Sequence, residues 1–149
     1  MEESPYRFQY RVPVRFKDID VGGHAHHSHA LVYFEEARAA YWREVVGRQG
    51  IEDVDYILAE VHVRYHSRVL WPQELDVGVR VSRLGKRHFE MTYEARGADG
   101  KKLISGSSTQ VMYDYESGST RGLPEDVESA IRRQDGPFDG GGRSTTGAA

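Results

Sequence analysis

A single run of helical periodicity, set among segments that otherwise alternate with period two, is the feature that most restricts how this chain can fold. Between Gly23 and Gly47, apolar side chains recur three and four residues apart at Ala30, Phe34, Ala37, Tyr41 and Val45, flanked by Leu31 and Trp42. That spacing lays one apolar stripe along a helix. It predicts a helix from Ser28 to Val46, with Ser28 as N-cap and Gly47 in the left-handed conformation that ends it. Alanines at 30, 37, 39 and 40 let another layer approach closely.

Everything else with a pattern reads as strand. Phe8, Tyr10, Val12, Val14 and Phe16 alternate with Gln9, Arg11, Pro13 and Arg15, with Pro13 marking an edge or a bulge. After the helix, Ile57, Ala59, Val61, Val63 and Tyr65 alternate with Leu58, Glu60, His62, Arg64 and His66 as a half-buried strand. A turn containing Trp71 and Pro72 leads to Leu75, Val77, Val79 and Val81. Phe89, Met91, Tyr93 and Ala95 follow, and Asp99-Gly100 marks a hairpin into a strand from Leu103 to Tyr113. LPEDVESAIRR forms a short terminal helix. The order favours an α+β fold: an antiparallel sheet of about five strands with one long helix laid on it. Residues 1–135 are expected to form one domain, while the Gly-rich ending at 136–149 holds too little apolar surface to order itself and is expected to be flexible.

The totals exclude several function classes. A formal charge of −3 with no Lys/Arg face gives no reason to expect a nucleic-acid partner. Without cysteine there is no disulfide framework, Cys-ligated zinc or Cys nucleophile, which suits a reducing compartment. The N-terminus is polar and charged rather than signal-like, and no apolar run approaches the roughly 20 residues that span a bilayer. A soluble, cytoplasmic protein with no membrane partner is expected.

Chemistry is concentrated in DIDVGGHAHHSHALVYFEEAR, residues 18–38, which holds four of the seven histidines. His24, His26, His27 and His29 offer enough imidazoles for zinc or nickel. The spacing opposes it: three of them sit in a turn with no fixed common face, and the helical i, i+4 pair is missing. His62 and His66 lie about 13 Å apart by strand rise, too far to grip one ion. No metal site is expected. The two aspartates before Gly22-Gly23 have an ordinary reading as turn chemistry, since Asp and Gly dominate turns for backbone reasons.

GGHAHHSHALVYFEEAR resembles the Gly-His-Val-Asn-Asn-Ala-x-Tyr-Leu-x-Tyr-Phe-Glu-x-Ala-Arg signature of 4-hydroxybenzoyl-CoA thioesterase-like acyl-CoA thioesterases of the hotdog fold. The match is ungapped from Asp18 to Arg38 and extends more weakly to about residue 133, through the Trp71-Pro72 turn, VSRLGKRHFEMTYEAR, ADGKKL and LPED. The resemblance implies a sheet wrapped around the long helix and hydrolysis of an acyl-CoA to free acid and CoA, with no cofactor beyond the CoA of the substrate. It implies Asp20 as nucleophile or general base, with Asp18 in support. Gly23 and the His27 amide fall beside it at the helix start, where free N–H groups favour the charge growing on a thioester oxygen. The His27 side chain either assists Asp20 or the leaving thiolate, or contributes only its amide.

His24, Ala30 and Tyr33 fall along the implied substrate pocket. Ala30 stands where the signature has tyrosine, which either widens the pocket or lets Trp71 or Tyr33 fill the space. Arg83, Lys86 and Arg87 are candidates for the CoA phosphates, or else the solvated tip of a hairpin. Glu35, Glu36 and Arg38 match the signature but read first as helix stabilisers, including an i, i+3 charge pair. By resemblance the chain forms a homodimer or homotetramer with the site at the subunit interface. Two alternatives stay open: a non-catalytic acyl-CoA-binding module, and a hotdog hydratase or dehydratase, whose His-Phe-Pro type of stretch is absent.

Overall fold

The structure, a computed structural model, describes residues 4–138. Six strands, β1 (Phe8–Pro13), β2 (Tyr56–Tyr65), β3 (Glu74–Leu84), β4 (His88–Arg96), β5 (Lys102–Asp114) and the short β6 (Ser119–Thr120), accompany helices α1 (His29–Tyr41) and α2 (Glu125–Asp135). The strands form one antiparallel sheet in the order β1-β3-β4-β5-β2, with β6 on the end of β5. The α+β hotdog arrangement expected from the element order and the signature is what the chain adopts. Among the described residues, no helix is long and apolar enough to cross a membrane.

The core lies between α1 and the central strands. Leu75, Val77, Val79 and Val81 of β3, with Phe89, Met91 and Ala95 of β4, are buried against Phe34, Ala37 and Tyr41. Such burial contributes roughly 1.5–3 kcal/mol for each large aliphatic or aromatic side chain. Close approach is enforced at Gly106 of β5, where an added Cβ would come within 2.4 Å of the His62 carbonyl oxygen and 2.7 Å of the Phe34 ring. Past Tyr41 the helix widens into a π turn, Trp42–Val46, and ends at Gly47 with φ of 89°, the left-handed conformation expected there. The turn presents Trp42, which stacks on Phe89 at 5.1 Å.

Four local expectations are corrected. β1 ends at Pro13 rather than running to Phe16: the Val14 N–H still reaches the Gln73 carbonyl (2.9 Å), but the Arg15 N–H turns back to Asp18 (2.9 Å). Phe16 therefore begins a 3₁₀ turn, 71% exposed, with its ring edge against Trp71. Ser28 is not a capping side chain: it is already helical in φ and ψ, and its hydroxyl bonds His26 Nδ1 at 2.9 Å. The even alternation read along β2 is broken by a bulge at Ala59, between the Leu58–Gln110 and Glu60–Thr109 pairs, which moves Ile57 off the face of Val61 and Val63. β2 is an outer strand bonded only to β5, so most of it is exposed rather than half-buried.

Arg38 does not pair with Glu35. It is 6% exposed and donates to Tyr93 Oη (3.0 Å), which continues through Ser108 and Gln110 to the Phe89 carbonyl. Of the ending expected to be flexible, Gly136–Phe138 is described, and Phe138 lies against the core beneath Arg132; residues 139–149 lie outside the described residues.

The terminal helix is fastened by Asp135, whose Oδ2 accepts from Tyr41 Oη (2.5 Å) and the Val81 N–H (2.9 Å). Burial pushes the Asp135 carboxyl up from its ordinary value, outweighing those two hydrogen bonds. A carboxyl raised on folding contributes stability that is present at low pH and lost as pH rises through its folded value. Asp135→Asn keeps an oxygen that accepts both bonds and cannot ionise. Relative to the wild type it is expected to gain stability as pH rises from about 4 towards neutrality; urea midpoints of both proteins at several pH values check this, and a constant difference would refute it.

Candidate active site

The segment from Asp18 to Ser28 is a compact hairpin closed on itself before α1 begins. Asp20 N–H donates to the His24 carbonyl (3.1 Å), Gly23 N–H to the Asp20 carbonyl (3.0 Å) and His26 N–H to the Asp18 carbonyl (2.9 Å). Gly23 sits at φ of 84°, which a side chain rarely adopts. At Gly22 the constraint is space, since a Cβ would stand 3.2 Å from Asp20 Oδ1 and 3.3 Å from His24 Nε2. One more bond, Ala25 N–H to the Val69 carbonyl (2.8 Å), ties the hairpin to the segment that follows β2.

The two aspartates do different work. Asp18 is 4% exposed and accepts from the Arg15 N–H (2.9 Å) and Tyr33 Oη (2.8 Å), with His29 Nδ1 3.4 Å from its other oxygen. Burial first, and then the Asp18 carboxylate, hold the Tyr33 hydroxyl above the ordinary phenol range, so it remains a protonated donor. Asp18 is thus the structural support expected of it. Asp20 Oδ1 accepts the Gly22 N–H at 2.8 Å in a side-chain turn, while its second oxygen has no partner among the described residues.

Asp20 lines a cleft of about 320 Å³. His24, His27, Ala30 and Tyr33 line it too, so the structure gathers these candidates around one space, with Gly23 in the turn beside them. Ala30 and Tyr33 both line the cleft, whereas Trp71 packs on Phe16 and lies outside the lining. Through this stretch most backbone N–H groups are satisfied, but those of Val21, His24 and His27 have no acceptor among the described residues. The His27 carbonyl, meanwhile, is held by Tyr65 Oη at 2.6 Å. A residue with an unpartnered carboxylate oxygen and a residue with an unpaired amide therefore line the same cleft at a helix start, residue types suited to attack on a carbonyl carbon with charge developing on its oxygen.

Within one chain, Arg83, Lys86 and Arg87 do not line this cleft. They belong to the β3–β4 tip, which pairs with β5 near Val111, whereas the cleft meets β5 at Ile104. Seven residues of strand separate the two, about 23 Å. Arg83 lies 3.9 Å from Glu90, and Arg87 bonds Thr120. Sequence reasoning missed the wall formed by Tyr65, His66, Ser67, Arg68 and Val69. The available signal was the polar stretch HSR between a strand end and the Trp71-Pro72 turn. Among the described residues, no group of three His, Asp or Glu side chains is placed to hold a metal ion.

Tyr33→Phe removes one of the two hydrogen bonds that the buried Asp18 Oδ2 accepts and is expected to lower stability by about 1–3 kcal/mol. Gly23→Ala, strained by its positive φ, is expected to cost about 1 kcal/mol or more. Chemical denaturation of each variant beside the wild type checks both; a loss below a few tenths of a kcal/mol in either would contradict the account.

A model of the thioesterase-like superfamily matches residues 14–131. The uncharacterized protein YsmA of Bacillus subtilis (strain 168) is 25% identical over 116 residues, spanning 78% of this chain and 79% of its own. A thioesterase from Thermus thermophilus, solved in complex with coenzyme A and Zn, is similar at 28% identity and a TM-score of 0.80, over 91% of this chain and 99% of that one. The DHNA-CoA thioesterase of Staphylococcus aureus, at 19% identity and a TM-score of 0.76 over 85% and 89% of the two chains, shares the fold. The family match takes in the Asp20 hairpin, α1 and every strand from β2 to β6, and this chain belongs to the thioesterase-like superfamily.

Proposed function

We propose that this chain hydrolyses the thioester bond of an acyl-CoA, with Asp20 as nucleophile or general base and the His27 amide as oxyanion donor. The observation that supports the reading is the shared cleft, lined by Asp20, one of whose oxygens has no partner among the described residues, and by His27, whose N–H has none either. Family membership supports the reaction class, and the coenzyme A bound to the Thermus thermophilus thioesterase supports the ligand class.

The chemistry needs only water as co-reactant. As general base, Asp20 takes a proton from water while the water oxygen bonds to the carbonyl carbon, and the His27 N–H stabilises the resulting oxyanion. The carbonyl then reforms as the C–S bond breaks, and the departing thiolate takes up a proton. If Asp20 attacks directly, the same carbon passes through an acyl-aspartate anhydride that water opens. Both routes leave a free acid and CoA-SH. The acyl group extends past Ala30, where a methyl group leaves more room than tyrosine would.

The unpaired side of β2 supports self-association. This outer strand has Ile57, Leu58 and Tyr65 exposed, and an exposed apolar edge is a template for pairing with another chain. Pairing two copies antiparallel about a two-fold axis sets the Tyr65 end of one strand beside the Tyr56 end of the other. A cavity of about 600 Å³ lined by Glu35, Ile51, Ile57 and Leu58 lies at that second end, so each Asp20 cleft is completed by the other copy. Sedimentation in dilute buffer is expected to give two chains or a multiple; a monomer that retains activity would refute the shared site.

Thiol release from short, long and aromatic acyl-CoA esters tests the main reading. Hydrolysis is expected to persist in a metal chelator and to fall about 10²- to 10⁴-fold in kcat for Asp20→Asn, the contribution of a positioned base. Full activity in Asp20→Asn would remove the residue from the mechanism. CoA binding without thiol release in the wild type would identify a ligand-binding module.

A further inference from the structure

Tyr65, the last residue of β2, donates its hydroxyl to the His27 carbonyl at 2.6 Å, across 38 residues of chain. With Asp20 and His27 it lines the cleft. We infer that Tyr65 is a positioning residue of the hydrolysis: its hydrogen bond fixes the turn around His27 and so holds in place the His27 N–H that serves as oxyanion donor. The inference rests on the acyl-CoA reading and adds to it a residue that acts through the His27 backbone.

Three observations carry it. The first is the set of backbone bonds around His27. The peptide planes on either side hold four polar groups: the His26 carbonyl and His27 N–H in one, the His27 carbonyl and Ser28 N–H in the other. The His26 carbonyl accepts from the His29 N–H (2.9 Å), the Ser28 N–H donates to His26 Nδ1 (3.2 Å), and the His27 carbonyl accepts from Tyr65. Of the four, the His27 N–H alone has no partner among the described residues. Its peptide is trans, so this N–H points opposite to the His26 carbonyl, away from the body of α1.

The second is the weakness of the helix start without Tyr65. From its own helix the His27 carbonyl receives the Ala30 N–H at a long 3.3 Å, and α1 begins only at His29. Helix ends held in this way fray. Tyr65 adds a short bond from a backbone that is paired with Ile104 of β5 and followed by the His66 N–H on the Leu103 carbonyl (2.8 Å). Burial pushes the Tyr65 phenol up from its ordinary value, so it stays a protonated donor.

The third is the bracket around the donor. On the near side, the Ala25 N–H bonds the Val69 carbonyl (2.8 Å) and the His26 N–H bonds the Asp18 carbonyl (2.9 Å). On the far side, Tyr65 is the one sheet side chain hydrogen-bonded to residues 24–28 among the described residues. A donor aimed at developing charge is most effective when its direction is set before the reaction.

Kinetics and calorimetry on the full chain test the inference, comparing the wild type, Tyr65→Phe, and a protein with Tyr65 replaced by 3-fluorotyrosine, which keeps the donor. Tyr65→Phe is expected to lower kcat about tenfold, part of the roughly 10²- to 10³-fold that a whole oxyanion donor contributes, with KM and the affinity for CoA unchanged. Two non-hydrolysable probes isolate the amide: a CoA thioether carrying a ketone near the place of the thioester carbonyl, and the same thioether with a methylene instead. The wild type is expected to prefer the ketone, Tyr65→Phe to lose about threefold or more of that preference with the methylene probe unaffected, and the fluorotyrosine protein to match the wild type. Unchanged kcat in Tyr65→Phe overturns the inference. So does an equal loss of affinity for both probes, which makes Tyr65 a shaper of the cleft, or a fluorotyrosine protein as impaired as Tyr65→Phe. Should the wild type hydrolyse no ester, the acyl-CoA reading fails on its own; a ketone preference lost in Tyr65→Phe then still supports the placing of the amide, and equal preference in the two proteins overturns it.

Discussion

A carboxylate buried where the chain leaves β1 organises the functional end of the molecule. Asp18 accepts the Arg15 N–H behind it and the Tyr33 hydroxyl from α1, and its own carbonyl receives the His26 N–H from across the hairpin. A buried carboxylate without partners is costly, so these donors are required wherever Asp18 is kept from water. Satisfying it fixes the exit from β1, the hairpin and the first turns of α1 relative to one another. The groups facing the cleft inherit their positions from that arrangement.

The fold was largely legible because its two periodicities are far apart. One 3.6-residue stripe between Ala30 and Val45 and clean alternation at Leu75–Val81 and Phe89–Ala95 leave little choice of element, and those side chains are the ones the core buries. What alternation could not show was where a register slips. The bulge at Ala59 inserts one residue opposite β5, and the effect on burial depends on the partner strand rather than on β2 itself. Arg38 was misread for a related reason: helix spacing offers it Glu35, but its fate is set by Tyr93, 55 residues away.

The candidate site divides along the same line. Asp20, Gly23, His24, His27, Ala30 and Tyr33 are contiguous or within two helical turns, so one motif sufficed to find them. The opposite wall, from Tyr65 to Val69, reaches the cleft only because Tyr65 holds the His27 carbonyl and Val69 the Ala25 N–H. No local pattern encodes those two bonds.

Turn chemistry and catalysis were rival explanations of Asp20, and the geometry lets both stand. Binding Oδ1 to the Gly22 N–H selects one side-chain orientation and leaves the second oxygen without a partner among the described residues, on a residue that lines the cleft. A free carboxylate would lose rotamer entropy on meeting substrate; one already held by its own turn has less to lose. In the proposed reaction the turn bond is therefore part of the apparatus. Gly22 has a matching role, since any Cβ there would crowd Asp20 Oδ1 and His24 Nε2 together. The His27 amide is likewise left without an acceptor among the described residues while its carbonyl holds Tyr65 Oη, and in the proposed reaction it serves as the oxyanion donor.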